Sequence, residues 1–275
     1  MSDLWLKVLA GAGFATIAVG LSLRYRLGHA REIAIAAVRA LAQLAAVGAA
    51  IALVFEFPGL AIAFVAVMVA TAGLTAGGRL HGLPAARRRA LVAITVPALA
   101  ATGILLAVGA FAFTPRSTVP IAGILIGGAM AATTLTGRRL LESLRDEAPL
   151  IEARLALGKS ARTALVPAVR GAIHTGLIPV VDQTRSVGLV TLPGTFVGLI
   201  LGGASPEQAA ATQLVVLLAL LAVELAAGLL LAELMQRALI LPGERVRRLV
   251  AARPVPTGPR PAQPRRRGLP SMRFV

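Results

Sequence analysis

One acidic residue of this chain lies in the middle of a long apolar stretch. Glu224 has apolar neighbours on both sides within the run from about residue 209 to 235. A carboxylate at that depth in a bilayer is costly, and such groups usually bind a cation, carry a proton or pair with another polar group. Glu224 is therefore a candidate metal or proton site, and a structural partner such as Gln213 or an arginine elsewhere is the open alternative.

Polar and helix-breaking residues also interrupt the apolar stretch VDQTRSVGLVTLPGTFVGLILGG, residues 181–203. Asp182 and Arg185 are one helical turn apart and could pair at the cytoplasmic mouth of a transport path. Pro193 removes a helix hydrogen bond, and Gly194 beside it permits a kink. Irregular backbone at membrane depth is tolerated only inside protein or beside water, so these residues are predicted to line or gate a path.

Small and polar residues elsewhere have both packing and transport interpretations. Gly194, Gly198 and Gly202 recur every four residues, which favours close helix packing. Gln43 lies midway along the second apolar run, where it could line a path or form an interhelical hydrogen bond. The threonines of segment 133–136 could ligate a passing ion or bond back to their own helix.

The chain that holds these residues has the composition of an integral membrane protein. Of its 275 residues 57% are hydrophobic, and the mean hydropathy is +0.81. Apolar runs of bilayer length predict seven spans. They lie at about 4–23, 33–54, 60–78, 90–112, 118–137, 173–203 and 209–235. The predicted fold is all-α, a polytopic membrane bundle of about seven transmembrane helices.

The net charge of +16 is distributed in a way that predicts topology rather than nucleic-acid binding. Segments 24–32, 79–89 and 138–172, together with the tail from Arg237 onward, hold 24 of the 28 basic residues. Under the positive-inside rule these segments are cytoplasmic, so the C-terminus lies inside and the N-terminus outside. We therefore expect a multi-pass protein of the plasma or inner membrane, with lipid rather than nucleic acid as its partner.

Two regions and several missing motifs complete the domain prediction. Residues 1–237 are predicted to form the transmembrane domain, including a cytoplasmic segment at 138–172, and residues 238–275 a basic, Pro-rich, mostly disordered tail. The chain has no cysteine and therefore no thiolate metal site. It also lacks the GxxxxGK[ST], HExxH and GxSxG motifs, so we expect neither ATP binding through a P-loop nor hydrolase activity.

The longest polar insertion carries a short amphipathic helix at about residues 149–158, PLIEARLALG. Pro149 suits the first turn of this helix, and Gly158 followed by Lys159 suits its end. Its apolar residues are Leu150, Ile151, Leu155 and Leu157. Such a helix either lies on the inner leaflet or is offered to a soluble partner.

Several stretches resemble known permeases. EARLALG (152–158) resembles the EAA-type coupling motif of ABC importer permeases, with Arg154 in place of the second Ala. Four segments resemble the FetB/YbbM family of metal-export ABC permeases. They are VRALAQLAAVG (38–48), VPIAGILIGGAM (119–130), LALGKSAR (155–162) and IPVVDQTRSVGLVTLPGTFVGLILGGASPEQAAATQ (178–213). The resemblance covers about residues 35 to 235, and one departure is Gly127-Gly128, where the family often has Gly-Asn.

The resemblance implies a permease subunit that is not itself an enzyme and couples to a separate soluble ATPase, which would bind ATP and Mg²⁺. The coupling residues it implies are Glu152, Ala153, Leu155, Leu157 and Gly158. It further implies a homodimer, and a metal ion such as iron as exported cargo. Two other classes stay open: an ion-gradient-driven carrier that uses Glu224, and a non-transporting membrane scaffold.

Overall fold

The computed structural model describes residues 3–247, which fall into two compact units. The first runs to Ala45 and the second begins at Ala46. Helix α1 (Asp3–Arg24) lies in the first unit, and α2 (Ala30–Glu56) begins there and ends in the second. The predicted tail beyond residue 247 lies outside the described residues.

The second unit contains seven further helices and one small hairpin. They are α3 (Leu60–Gly78), α4 (Ala86–Ala107), α5 (Pro115–Asp146), α6 (Ala148–Ala156), α7 (Ala161–Ser186), α8 (Gly194–Leu201), α9 (Pro206–Leu239), β1 (Ile240–Leu241) and β2 (Arg245–Val246). All the helices of residues 3–247 except α6 and α8 are long and apolar enough to cross a membrane, seven in total. The predicted all-α polytopic bundle is confirmed.

Helix α5 lies at the centre of the second unit, where it packs against α3, α4, α7 and α9. Small residues dominate the contacts, because lipid tails give apolar helices no hydrophobic reason to associate and close backbone approach has to supply the attraction. Gly77 of α3 is an example: a Cβ atom built there would lie 2.4 Å from the Cα atom of Arg87. A core of alanines and larger aliphatic residues fills the remaining space.

The second unit has two distinct ends, because its long helices alternate in direction. We call one the α6 end; it holds α6, the α3–α4 connection and the hairpin of residues 240–246. The opposite end holds the α4–α5 connection and the segment from residue 187 to 205. Helix α7 joins the two ends and, with 26 residues, is about 39 Å long.

The predicted sixth span, residues 173–203, is wrong at both ends. Helix α7 begins at Ala161, because the Ser160 side chain caps it by accepting a hydrogen bond from the Thr163 backbone nitrogen. It ends at Ser186, where Gly188 (φ +80°) turns the chain before the separate helix α8. Hydropathy merged a helix, an apolar turn and a short helix into one run.

The last span also continues past the predicted domain boundary at residue 237. Helix α9 extends to Leu239, and residues 240–246 then form the antiparallel hairpin β1–β2. The hairpin packs against the core at the α6 end through Ile240 and Val246. This part of the predicted tail is therefore an ordered piece of the second unit.

Candidate functional site

Glu224 is a buried carboxylate of α9 that faces α5. Its side chain and backbone are together only 7% exposed. A Cβ atom built on Gly128 would lie 2.7 Å from Oε1 of Glu224 and 2.5 Å from Cδ2 of Leu220. The carboxylate thus lies directly against the α5 backbone, in space that a side chain at position 128 would fill.

No hydrogen bond or ion pair to Glu224 occurs within residues 3–247. Gln213, the alternative partner considered from the sequence, is also buried, and its Oε1 atom has no hydrogen-bond partner in the described part of the chain. Gln213 and Glu224 both belong to α9, and no hydrogen bond joins them in this structure.

Two threonine hydroxyls of α5 lie without partners along the same interface. Thr133 and Thr136 are fully buried, and within the described residues neither Oγ1 atom has a hydrogen-bond partner. Thr136 Oγ1 is 3.2 Å from the Cβ position of Gly228, one turn beyond Glu224 on α9. Thr134, by contrast, bonds back to the carbonyl oxygen of Met130 at 2.8 Å. The Thr136 hydroxyl group thus lies against α9 one turn from Glu224, without a hydrogen-bond partner in the described residues.

This arrangement can interact with a hard cation or a proton. Carboxylate and hydroxyl oxygens suit hard cations rather than soft metals. Residues 3–247 contain no group of three or more His, Cys, Asp or Glu side chains that could hold a metal ion.

A larger groove of about 790 Å³ between α3, α4 and α5 is chemically different. Its lining is mostly aliphatic, and two of its threonines, Thr95 and Thr102, donate their hydroxyl hydrogens to carbonyl oxygens of their own helix at 2.7 Å. Glu224 does not line it. The groove suits an apolar occupant and is not the cation site.

Asp182 and Arg185 lie near the C-terminal end of α7, opposite the α6 end. Both side chains are exposed, and no ion pair joins them in the part of the chain that the structure describes. Their predicted place at the same mouth as segment 138–172 is wrong, because α7 begins 12 residues before the predicted span. Asp182 is about 31 Å along the helix axis from Ala161.

The break in the apolar run occurs around Pro193, which precedes α8 as its N-cap instead of kinking a long span. Cβ atoms built on Gly194 and Gly198 would have no neighbour within 4 Å. One built on Gly202 would meet only carbonyl oxygens of its own segment, at 3.2 and 3.4 Å. This glycine row packs on no helix of the described chain.

Gln43 is exposed and belongs to the first unit. The sequence left two interpretations of Gln43, a place on a transport path or an interhelical hydrogen bond. Both stay predictions, since no hydrogen bond to its side chain occurs within residues 3–247.

Helix α6 has an inner and an outer apolar face. Ile151 is 3% exposed, and Leu155 packs against the core of the α6 end. Leu150 and Leu157 point outward, 57% and 80% exposed. Of the implied coupling leucines Leu157 is therefore the exposed one, while Leu155 is partly buried. Sequence reasoning left the exposed Leu150 out of that set.

The two ends of α6 explain its orientation. Pro149 occupies the first turn, where its missing N–H group costs nothing. At the other end Gly158 adopts φ +79°, and its backbone nitrogen donates to the carbonyl oxygen of Leu155 at 2.9 Å. The remaining implied coupling residues, Glu152 and Ala153, are exposed on the same short helix.

Polar bonds tie α6 to the helices around it. Nη1 of Arg154 donates to the Ala164 carbonyl oxygen of α7 at 3.2 Å. Glu233 of α9 forms ion pairs with Arg162 of α7 at 2.5 Å and with Arg237 at 2.8 Å. The first of these contacts joins α6 to α7, and the ion pair of Arg162 and Glu233 joins α7 to α9.

Comparison with known proteins agrees with this architecture. The profile of the family described as "Uncharacterised protein family (UPF0014)" matches residues 5–240. The UPF0014 membrane protein STAR2 of Oryza sativa subsp. japonica is 37% identical over 214 residues, which are 77% of this chain and 75% of the relative. The protein ALUMINUM SENSITIVE 3 of Arabidopsis thaliana is 35% identical over 214 residues, 77% of this chain and 78% of the relative.

A bacterial relative extends the comparison. The probable iron export permease protein FetB of Escherichia coli (strain K12) is 31% identical over 207 residues, 74% of this chain and 80% of FetB. No solved structure matches the chain. The resemblance to FetB predicted from the sequence segments is confirmed, and the chain belongs to the UPF0014 family of multi-pass membrane proteins.

Proposed function

We propose that this chain is the permease subunit of an ABC exporter that moves a small solute, a metal ion such as iron, out of the cytoplasm. A separate ATPase would dock on α6 and supply the energy. Similarity to FetB, a probable iron export permease, over about three quarters of both chains supports the cargo class. The buried oxygens of Glu224, Thr133 and Thr136 support a hard cation.

The observation that carries the coupling role is the division of α6 into two faces. Ile151 and Leu155 anchor the helix, while Leu150 and Leu157 remain outward. Large apolar side chains held outward on a rigid, bonded helix are typical of anchors that enter a groove in a partner. Helix α6 is also too short to cross a membrane, so it presents this face beside the bundle.

Charge supports a cytoplasmic location for the α6 end. Between residues 46 and 247, the basic residues at the opposite end are Arg116 and Arg185, and the others lie in the half of the bundle nearer α6. Under the positive-inside rule this distribution favours a cytoplasmic location for α6 and the C-terminus and, with seven spans, an N-terminus outside. The ATPase would meet α6 on the side where ATP is available.

The proposed mechanism joins α6 to Glu224 through α9. Closure of two ATPases on a homodimer would move α6, and the Arg154 and Glu233 bonds would pass this motion to α7 and α9. Glu224 lies 15 residues before the end of α9, about 22 Å into the helix. A shift of α9 against Gly128 would change the access of the carboxylate and release a bound cation.

Docking is tested by replacing the two outward leucines, Leu150 and Leu157, with Asp. Anchors of this kind contribute about 1–3 kcal/mol each, so the double variant should bind the ATPase at least about tenfold more weakly. The readout is the amount of ABC-type ATPase, identified by its Walker A motif and its ATP hydrolysis, that copurifies with the tagged chain. Normal recruitment by the double variant would disprove the docking role.

Two controls separate docking from folding. Leu189→Asp changes a leucine that is 89% exposed at the opposite end and should leave recruitment intact. Deletion of residues 255–275 should also leave it nearly unchanged. Size-exclusion profiles of all variants must match the wild type for the comparison to hold.

A carrier driven by an ion gradient is the second candidate, and the unpaired burial of Glu224 favours it. The two functions are distinguished by vesicles that hold the purified chain without any ATPase. If an imposed proton gradient drives cation transport in such vesicles, and Glu224→Gln abolishes it, the carrier is correct. Transport that needs the ATPase and ATP supports the exporter.

A further inference from the structure

The hairpin after α9 is attached to the start of α7. Its turn contains Gly243 (φ +78°) and Glu244 (φ +55°), and the backbone nitrogen of Arg247 donates to the Leu239 carbonyl oxygen at 2.8 Å. The Glu244 carboxylate accepts a hydrogen bond from the backbone N–H of Ala161, the first residue of α7. An acidic group is favourable at a helix N-terminus, and this contact offsets the left-handed backbone of Glu244.

A groove of about 360 Å³ separates the attached hairpin from α6. Apolar residues of α5 and α6 form one wall: Leu144, Ala148, Ile151 and Leu155. Residues 244–247 form the other wall. The volume lies within the range of small-molecule pockets, about 300–1,000 Å³, and admits a large side chain of another protein.

Two carboxylates and two arginines line this groove: Glu152, Glu244, Arg245 and Arg247. The Glu244 carboxylate is held by the backbone N–H of Ala161. Arg245 and Arg247 are exposed, and neither has an ion-pair partner in residues 3–247. The wall they form lies across the groove from α6, whose outward leucines are the proposed docking anchors. An apolar slot with two free arginines at its edge complements an apolar anchor that has acidic neighbours.

We propose that the hairpin and α6 form one composite docking surface for the ATPase subunit. The groove receives an apolar side chain of the ATPase, and Arg245 and Arg247 pair with acidic residues beside that side chain. This inference rests on the proposed function, because it names a second part of the same docking surface. It assigns partner binding to residues 240–247, beyond the short helix that the coupling motif covers.

The experiment measures affinity between the purified chain in nanodiscs and the ATPase that copurifies with the wild type. Arg245→Glu and Arg247→Glu together should weaken binding about tenfold and flatten its dependence on salt. Arg116→Glu makes the same type of charge reversal at the opposite end and should change neither. Ala148→Trp, which fills the groove, should weaken binding at low and high salt alike.

Nanodiscs of neutral phosphatidylcholine and nanodiscs with added anionic lipid separate two sources of negative charge. Loss of affinity in both supports contact with the protein. A loss confined to the anionic discs would mean that the hairpin binds lipid, which would overturn the proposal. Because the chain has no cysteine, Arg245→Cys can also be crosslinked to the ATPase, with Arg116→Cys as the control that should not react.

The outcomes for the two proposals differ. One outcome separates the two proposals: the α6 double variant loses the ATPase, while the arginine charge reversal and the groove-filling Ala148→Trp both bind normally. In that case the composite surface is wrong and the proposed function stands. If no ABC-type ATPase binds the wild-type chain at all, the proposed function is wrong, and the composite surface falls with it.

Discussion

Two adjacent glycines of α5 offer a matched test of the Glu224 site. A Cβ atom on Gly128 would lie 2.7 Å from Oε1 of Glu224, whereas one on Gly127 would have no neighbour within 4 Å. Gly127→Ala and Gly128→Ala therefore add the same methyl group to the same helix. They differ in whether that group meets Glu224 and the tip of Leu220, so the difference between them reports on this contact.

The size of the effect follows from the clash. Ordinary contacts of a Cβ atom begin at about 3.4 Å, so Gly128→Ala must displace the carboxylate and the tip of Leu220, which would lie at 2.5 Å, by about 1 Å. Overpacking of this kind typically costs about 1–3 kcal/mol, but both obstacles are side-chain ends that can move. We therefore expect the variant to fold. Transport should fall about tenfold or more, because the displaced carboxylate no longer lies where it would contact the cation.

The assay is ATP-driven uptake of ferrous iron into inside-out membrane vesicles that contain equal amounts of each variant. Gly127→Ala should transport like the wild type, and Gly128→Ala should not. Adding Glu224→Asp to Gly128→Ala shortens the acid by one methylene and makes room for the new methyl group. The double variant should regain part of the lost transport, which a general packing defect would not explain.

Equal behaviour of the two alanine variants in transport and thermal stability would refute the placement of Glu224 against Gly128. Full transport by Glu224→Gln, with the site intact, would instead show that the carboxylate is structural.

Three further substitutions test the packing that positions the sites. Gly176→Ala would place a Cβ atom against Oγ1 of Thr136, so the apparent melting temperature should fall by about 2–12 °C. Gly171→Ala adds its methyl group in open space and should not lower the melting temperature. Heating followed by fluorescence-detected size-exclusion chromatography measures both variants. Ser205→Ala removes one half of the capping box of α9 and should lower the free energy of unfolding by about 0.5–2 kcal/mol. The same assay should show this as a lower melting temperature. Leu155→Asp places a charge in the core and should reduce the yield of folded protein, unlike the outward Leu157→Asp.

The spans could be predicted from the sequence because hydropathy and length decide them. Seven apolar runs correspond to seven long helices, and five of those helices have ends close to the predicted ones or extend them with polar turns. The sixth run was misread because turn residues 187–192 are as apolar as a helix. A hydropathy pattern detects a turn only when the turn residues are polar. It therefore cannot separate an apolar turn from the helices on either side of it.

Side-chain neighbours were harder to predict than spans. The sequence showed a regular glycine row at 194–202, but the close helix contacts use irregularly spaced glycines such as Gly128 and Gly176. Periodicity within one helix shows which residues share a face, but it does not show which helix packs there. For the same reason Leu155 and Leu157 could not be divided between the core and the solvent.

The position of Glu224 within the bundle favours a mechanism in which α9 moves against α5. At the α6 end α9 is fixed to α7 by the ion pair of Glu233 and Arg162. At the level of Glu224, contact with α5 consists of side-chain ends against Gly128, without a hydrogen bond between the two helices in the described residues. In the proposed mechanism a shift imposed at the α6 end would enter α9 through this ion pair, and no hydrogen bond between α5 and α9 would oppose it at the level of Glu224. Because an unpaired buried carboxylate gains most from a cation or a proton, this is also where a small movement has the largest effect on ion affinity.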